Sequence, residues 1–542
     1  MCHYFQIGYQ FSTQGFFRKA DLKIHYLELF LLTCDLSSKP NHLEYLHKER
    51  RGMKYLFTVL IALVGLSASA QTNIFLDRAY WKTGPSVSSI QEQIQKGHDP
   101  AELNAGSFDP VVLAISEKAP NESIKFLLTQ KGNDVNKLTH DGRTYIFWSA
   151  SAGNTELMEY LLNKGAKTDL IDDHGSSPLN FAAGSGQANI KVYDLLLNKG
   201  TDLKKDLNEN GANALLLSAG ADKDFALLNY FISKGLDFNS TDENGNTIFN
   251  YVARTGKIDV LKKLLEKGVK YNDNAFILAS LGARGGANTI EVYQYLESLN
   301  LNPAFVGNNG ETVLHGISRR DKQLEIIKYF ISKGVDVNIA DNEGNTALMN
   351  AAASNPDLAS IELLAGLVKD INQKNKSGAS ALALAVRSNS PEVVGALIAK
   401  GADINAVDSN GDNLAYYLIQ SYSDQNSTAF DVKLKMLQEK GLNMAAPQQN
   451  GNTLYHLAVA KNDLDLLRKI QGLNIDKNVK NKEGYTALHK AAMSAKDAGV
   501  IKYLLEIGAD KGSTTEFDET AYDLAGENEF LSKNKVSIEF LK

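Results

Sequence analysis

Cysteine is almost absent from this chain of 542 residues, in which Cys2 and Cys34 are the only two. After position 34 the sequence therefore offers no disulfide and no thiolate metal site. The absence suits an oxidising compartment outside the cytoplasm. Because secreted eukaryotic modules are more often rich in disulfides, we favour a bacterial periplasm over other extracellular locations.

The chain also lacks a strong charge of either sign. Its net charge is −6, and 22% of its residues are charged. The first 70 residues hold 8 Lys or Arg and 5 Asp or Glu, so the remainder is mildly acidic at −9. A general nucleic-acid binder needs a basic field. The composition therefore predicts no nucleic-acid partner.

Long apolar runs are missing as well, apart from residues 55–66. That run follows Met53 and Lys54, and small residues, Ser67 to Ala70, come directly after it. A basic start, a short apolar centre and small residues at the cleavage point are the layout of a secretory signal peptide. A membrane anchor is the alternative, but the run falls short of the roughly 20 apolar residues that a spanning helix needs.

These features predict a signal peptide at residues 53–70 and an exported protein, periplasmic or secreted, without stable membrane insertion. A signal peptide belongs at the start of a chain. Residues 1–52 are therefore predicted to be a non-native or unstructured extension, with translation beginning at Met53.

No catalytic motif stands out in the sequence. There is no nucleophile elbow, no HExxH and no His/Cys pair. His315, His456 and His489 recur one per repeating unit without a second ligand at helical spacing, which does not indicate a metal site. The sequence predicts a protein that is not an enzyme and needs no cofactor or metal.

What the sequence does contain is a repeat. A glycine recurs mostly every 33–36 residues, with one step of 40 and one double step of 65. Asp518 takes the place of the glycine at the end of the series. A second series ends the second helix of each unit, usually after a lysine. The first series is Gly142, Gly175, Gly211, Gly245, Gly310, Gly344, Gly378, Gly411, Gly451 and Gly484. The second is Gly165, Gly200, Gly235, Gly268, Gly334, Gly401, Gly441 and Gly508.

Residues 377–409 show the unit most clearly. Gly378 opens a turn, residues 380–386 predict a short first helix, and Pro391 suits the first position of a second helix. Apolar residues of the second helix follow helical spacing. Such a unit cannot bury both helices alone, so the period predicts a stack in which each unit packs on its neighbours.

The repeat resembles the ankyrin family over residues 103–530. Residues 312–315, 453–456 and 486–492 follow the family's Thr-Pro-Leu-His-x-Ala signature. Residues 235–239, 334–338 and 401–405 follow its Gly-Ala-Asp-x-Asn exit. The signature proline survives only as Pro178, and the unit near residues 271–303 has lost its turn glycine.

The resemblance implies an all-α ankyrin solenoid of about twelve helix-turn-helix units with short β-hairpin fingers. We assign residues 71–102 to N-terminal capping helices, 103–516 to the repeat array and 517–542 to a C-terminal capping repeat. A polar outer face is what a terminal cap needs for solubility.

The resemblance also implies a protein-binding scaffold that uses its concave face. A structural spacer or protective envelope protein without a tight partner is the alternative. The family's groove position falls on cations in four repeats, and a sixth cation follows a turn glycine. One interpretation is a solvated surface on which the cations cluster by chance; the other is a weak positive stripe for another protein with an acidic surface. The six residues are Arg254, Arg319, Arg320, Arg387, Lys461 and Arg143.

Overall fold

Pairs of short helices joined by tight turns make up the computed structural model, which describes residues 73–283 and 286–542. Within that part of the chain, 28 α-helices follow one another in pairs. We number them in chain order, so that odd numbers denote first helices and even numbers second helices. The predicted extension at residues 1–52 and the predicted signal peptide at 53–70 lie outside the described residues.

Each pair consists of a first helix and a second helix. The first helices are α1 Arg78–Lys82, α3 Pro110–Ser116, α5 Tyr145–Ser151, α7 Pro178–Gly184, α9 Ala214–Ala219, α11 Ile248–Ala253, α13 Asn274–Leu281, α15 Val313–Ile317, α17 Ala347–Ser354, α19 Ala381–Ser388, α21 Leu414–Ser421, α23 Leu454–Ala460, α25 Ala487–Ser494 and α27 Ala521–Glu527. The second helices are α2 Val87–Gln95, α4 Asn121–Leu127, α6 Thr155–Asn163, α8 Ile190–Leu197, α10 Ala226–Ser233, α12 Ile258–Glu266, α14 Ile290–Ser298, α16 Leu324–Ser332, α18 Leu358–Leu367, α20 Pro391–Ala399, α22 Ser427–Glu439, α24 Leu464–Ile470, α26 Gly499–Glu506 and α28 Glu529–Lys533.

The number of units agrees with the sequence. The pairs α3/α4 to α25/α26 are twelve, and one further pair stands at each end. The unit without a turn glycine keeps both helices, α13 and α14. The final pair has a second helix of only 5 residues, α28. The predicted all-α repeat is confirmed.

Local sequence explains how one pair forms. Ser380 caps α19 by accepting a hydrogen bond from the backbone N–H of Ala383 at 3.3 Å, and Ser390 caps α20 with Pro391 at its first position. Side-chain caps of this kind satisfy amides that a helix start leaves unpaired. Every residue from Ala381 to Val386 is buried, so α19 lies inside the stack. Helix α20 instead buries a single apolar face.

The first helices form a continuous row through the stack. Each contacts the first helix before it and the one after it, whereas several neighbouring second helices approach each other less closely. Helices α17 and α19, both rich in alanine, pack on each other most extensively. Small side chains allow this close approach, and the apolar core therefore runs from unit to unit instead of gathering at one centre.

The fingers are simpler than predicted. In the described residues the expected β-hairpins reduce to single antiparallel bridges across the turn, such as Ala340 with Thr346 and Lys374 with Ser380. The turns also bond to one another along the stack. The backbone N–H of Ser409 donates to the Ser377 carbonyl at 3.1 Å, and that of Lys376 to the Glu343 carbonyl at 2.9 Å.

Both glycine series adopt a left-handed backbone, which suits a residue without a side chain. Their φ angles run from 69° at Gly142 to 101° at Gly235, and Asp518 adopts 62° in the glycine's place. At Gly378 the requirement is twofold. Its φ is 80°, and an added Cβ would lie 2.2 Å from the backbone nitrogen of Ser409.

Three histidines join adjacent units. In each, Nδ1 accepts the N–H of the capping threonine, at 2.9 Å for Thr312 and His315. Nε2 then lies 3.0 Å from the carbonyl of Asn345 in the next unit. His456 reaches the Tyr485 carbonyl and His489 the Ser513 carbonyl in the same way, both at 2.9 Å. Both nitrogens are occupied, which explains the recurrence of histidine without any metal.

We expect acid to weaken these histidine contacts. Burial lowers the pKa of His315, His456 and His489 below 6.5, because a buried imidazole resists charging. The unfolded chain therefore binds more protons below about pH 6.5. Each contact contributes fully above that pH and is lost as the pH falls towards the folded pKa.

His456→Gln should accordingly lower the free energy of unfolding more at about pH 7.5 than at about pH 5.5, by about 1 kcal/mol at the higher pH. Denaturation of the variant and its parent at both values measures the difference. An equal loss at the two pH values would contradict the role given to His456.

Candidate protein-binding face

Two of the six predicted cations meet at one cavity. Arg319 follows α15 and Arg387 lies near the end of α19, and both are exposed. They line a cavity of about 300 Å³ that crosses four consecutive units. The remaining lining residues are Asn345, Asn350, Ala353, Ser354, Asn375, Ser377, Ala379, Leu384 and Tyr417. No carboxylate is among them, although the chain as a whole is acidic.

Neither guanidinium at the cavity has an acidic partner within the described part of the chain. A terminal nitrogen of Arg319 donates to the amide oxygen of Asn350 at 3.1 Å. Arg387 makes one long contact, from Nε to the Ser388 hydroxyl at 3.4 Å. Elsewhere the chain pairs many of its cations, for example Lys333 with Glu297 at 2.5 Å. The cavity therefore holds two positive charges that the fold leaves uncompensated.

The polar walls of the cavity are already hydrogen-bonded. Asn375 donates to the Asn345 amide oxygen at 2.9 Å, and Asn350 donates to the His315 carbonyl at 3.1 Å. Tyr417 donates its hydroxyl to Asp408 at 2.8 Å. Burial raises the pKa of Tyr417, and its bond to Asp408 adds to the rise, so the hydroxyl stays protonated. These groups shape the cavity, and the two arginines supply its charged donors.

Three other predicted cations donate hydrogen bonds to carbonyl groups at the ends of helices in neighbouring units. Arg254 donates from Nε to the Gly282 carbonyl at 2.9 Å, and Arg320 donates to the Leu281 carbonyl, so both bracket the end of α13. Lys461 donates to the carbonyls of Gln420 and Tyr422 at 3.3 and 3.2 Å, at the end of α21. Cations stabilise the carbonyl end of a helix. These three side chains are thus engaged in joining neighbouring units.

Arg143 was predicted to belong to the positive stripe because it follows a turn glycine, but its side chain is largely covered. It is only 8% exposed. Its guanidinium bonds Asp172 at 2.8 Å and Asp141 at 2.9 Å, and it lies 4.2 Å from the centre of the Phe181 ring. Because its charge is paired and covered, we leave Arg143 out of the candidate face.

The structure exposes a row of apolar residues at the turns that the site predicted from the sequence did not include. Each member precedes its turn glycine by four positions, and aligning the repeats on that glycine would have revealed the row. The five members and their exposed fractions are Leu138 61%, Ile171 54%, Leu207 43%, Val306 43% and Val407 44%. They line the edge of the stack that carries the turns.

No group of three or more His, Cys, Asp or Glu side chains within the described residues could hold a metal ion. Among the same residues, no helix has both the length and the apolar character to cross a bilayer.

The family model for ankyrin repeats in three copies matches residues 111–206, 189–275, 279–375, 314–408 and 409–515. These matches cover well over half of the chain. The chain belongs to the ankyrin repeat family. Ankyrin repeats mediate protein–protein binding and are typically non-enzymatic.

Two relatives show how far the similarity extends. The phosphocholine transferase AnkX of Legionella pneumophila is 29% identical over 156 residues, which is 29% of this chain and 16% of that protein. The ankyrin repeat protein FPV031 of fowlpox virus is 36% identical over 126 residues, 22% of this chain and 35% of that protein. The chain thus matches about a third or less of these relatives' lengths.

A solved structure, the ankyrin repeat domain of Bcl-3, covers 40% of this chain and 95% of its own. The two are 21% identical with a TM-score of 0.32.

Proposed function

We propose that this chain is a non-catalytic scaffold, exported to the bacterial envelope, whose ankyrin array binds another protein through the first-helix face. The cavity between Arg319 and Arg387 carries the proposal. Uncompensated arginines on an otherwise acidic chain attract an acidic partner surface and speed its association. The unit stack supplies a long surface on which several neighbouring turns and first helices contact one partner.

Charge reversal tests the binding face. Association of the natural partner with the parent protein is measured at low salt, alongside the double variant Arg319→Glu and Arg387→Glu. We expect association to slow by about tenfold or more and its salt dependence to flatten. The charge-matched control is the double variant Lys262→Glu and Lys263→Glu, because both lysines are exposed on the second helix α12.

If the double variant folds and associates at the parental rate, the partner does not bind at this face. Failure of any envelope protein to bind the parent would favour the structural spacer instead.

Export is tested separately from binding. The proposed signal peptide is residues 53–70, so the mature protein should begin at Gln71. Amino-terminal sequencing of the protein recovered from the periplasm or the medium checks this. Recovery of peptides from residues 1–52 in the mature protein would contradict both the start at Met53 and the processing.

A further inference from the structure

We propose that the cavity between Arg319 and Arg387 is a carboxylate-binding subsite that receives one acidic side chain of an extended peptide. The inference rests on the proposed function, because it specifies the chemistry by which the scaffold holds its partner.

The two guanidinium groups of the cavity favour an anion as its ligand. The lining amides and the Tyr417 hydroxyl donate within the protein, as described above. The charged donors of the cavity are guanidinium N–H groups from two units, Arg319 beside α15 and Arg387 on α19. A guanidinium presents its N–H groups in a plane that matches both oxygens of a carboxylate. Binding one carboxylate between them would compensate charges that no acidic side chain of the described fold reaches.

The size and lining favour a side chain over a larger ligand. A volume of about 300 Å³ is at the lower limit for ligand pockets. Ala353, Ala379 and Leu384 provide apolar surface beside the arginines. The methylenes of a glutamate can rest on this surface while its carboxylate reaches the guanidinium groups. The cavity crosses four units, so an extended peptide lying along the stack would pass directly over it.

The lining argues for a carboxylate over a phosphate. Arg319 and Arg387 are the only basic residues that line the cavity. Two carboxylates lie next to the lining: Asp408 accepts the hydrogen bond of the Tyr417 hydroxyl at 2.8 Å, and Asp341 lies 3.4 Å from the amide nitrogen of Asn345. These carboxylates disfavour an ion of higher charge more than one of single charge.

The test uses defined peptides and the whole mature protein. Binding of fluorescein-labelled hexaglutamate and of the matched hexaglutamine is followed by fluorescence anisotropy at low salt. We expect the parent to bind hexaglutamate and not hexaglutamine. Arg319→Gln and Arg387→Gln should each weaken binding by about tenfold, and Arg387→Lys should recover only part of the loss, since lysine lacks the bidentate fork.

Controls separate the subsite from general charge effects. Arg468→Gln removes one positive charge from the second-helix side and should leave hexaglutamate binding unchanged. Thermal midpoints of all variants establish that they fold. Butyrate, which carries a single carboxylate, should displace the labelled peptide at lower concentration than inorganic phosphate does. Displacement by phosphate first, or equal binding by the parent and the double glutamine variant, would overturn the carboxylate subsite.

The peptide experiment and the charge-reversal experiment can fail independently of each other. If the parent fails to bind hexaglutamate while charge reversal still slows its natural partner, the subsite is wrong and the scaffold stands. If hexaglutamate binds at the arginines but charge reversal leaves the partner unaffected, the subsite stands and the proposed binding face is wrong.

Discussion

Gly378→Val is expected to destabilise the array by about 3 kcal/mol or more, through backbone strain and overlap together. The residue holds φ at 80°, and its missing Cβ leaves room for the next turn. A side chain would push against the backbone nitrogen of Ser409 and the carbonyl carbon of Asp408, at 2.2 and 2.7 Å. The hydrogen bond from Ser409 to Ser377 would break as the turns separate.

Gly411 provides a matched control for that prediction. It occupies the same turn position one unit later with φ 86°, but nothing lies within 4 Å of an added Cβ. Gly411→Val should therefore cost only the conformational strain, about 1–2 kcal/mol. Urea denaturation and hydrogen exchange across α19 to α21 measure both variants. Equal losses at Gly378 and Gly411 would show that close stacking of the turns contributes nothing to stability.

Asn355→Ala is expected to cost about 2–3 kcal/mol, because it leaves buried backbone groups without partners. Asn355 is fully buried. Its amide donates to the Ser318 carbonyl of the preceding unit at 3.0 Å, and its amide oxygen accepts the Asp357 N–H at 2.9 Å. The side chain thus joins the end of the first helix α15 to the start of α18, the second helix of the following unit.

Asn534 allows the same substitution at an exposed position. It donates to the Lys496 carbonyl at 3.2 Å, across a similar sequence separation. Water can replace that bond, so Asn534→Ala should change stability by no more than about 0.5 kcal/mol. Denaturant midpoints of the two variants give the comparison. A loss at Asn534 as large as at Asn355 would show that burial does not set the cost.

Much of the fold could be predicted because the repeat carries local signals. Glycine at fixed positions, capping serine and threonine and apolar residues at helical spacing act within one unit, and the period supplies the neighbour. The histidine contacts follow from the same logic, since His315 bonds its own helix cap and the next unit through a turn of fixed length. A regular period thus turns a local pattern into a tertiary contact.

The sequence by itself determined the repeat, the helix pairs and the glycines at positive φ, because short-range sterics and spacing govern all three. Only the tertiary structure decided which cations are free. Arg254 reaches a carbonyl 28 residues away, Arg320 one 39 away and Lys461 one 41 away. Long side chains take whichever partner the adjoining unit presents, and that choice depends on how the units stack. The same stacking left Arg319 and Arg387 uncompensated beside one cavity.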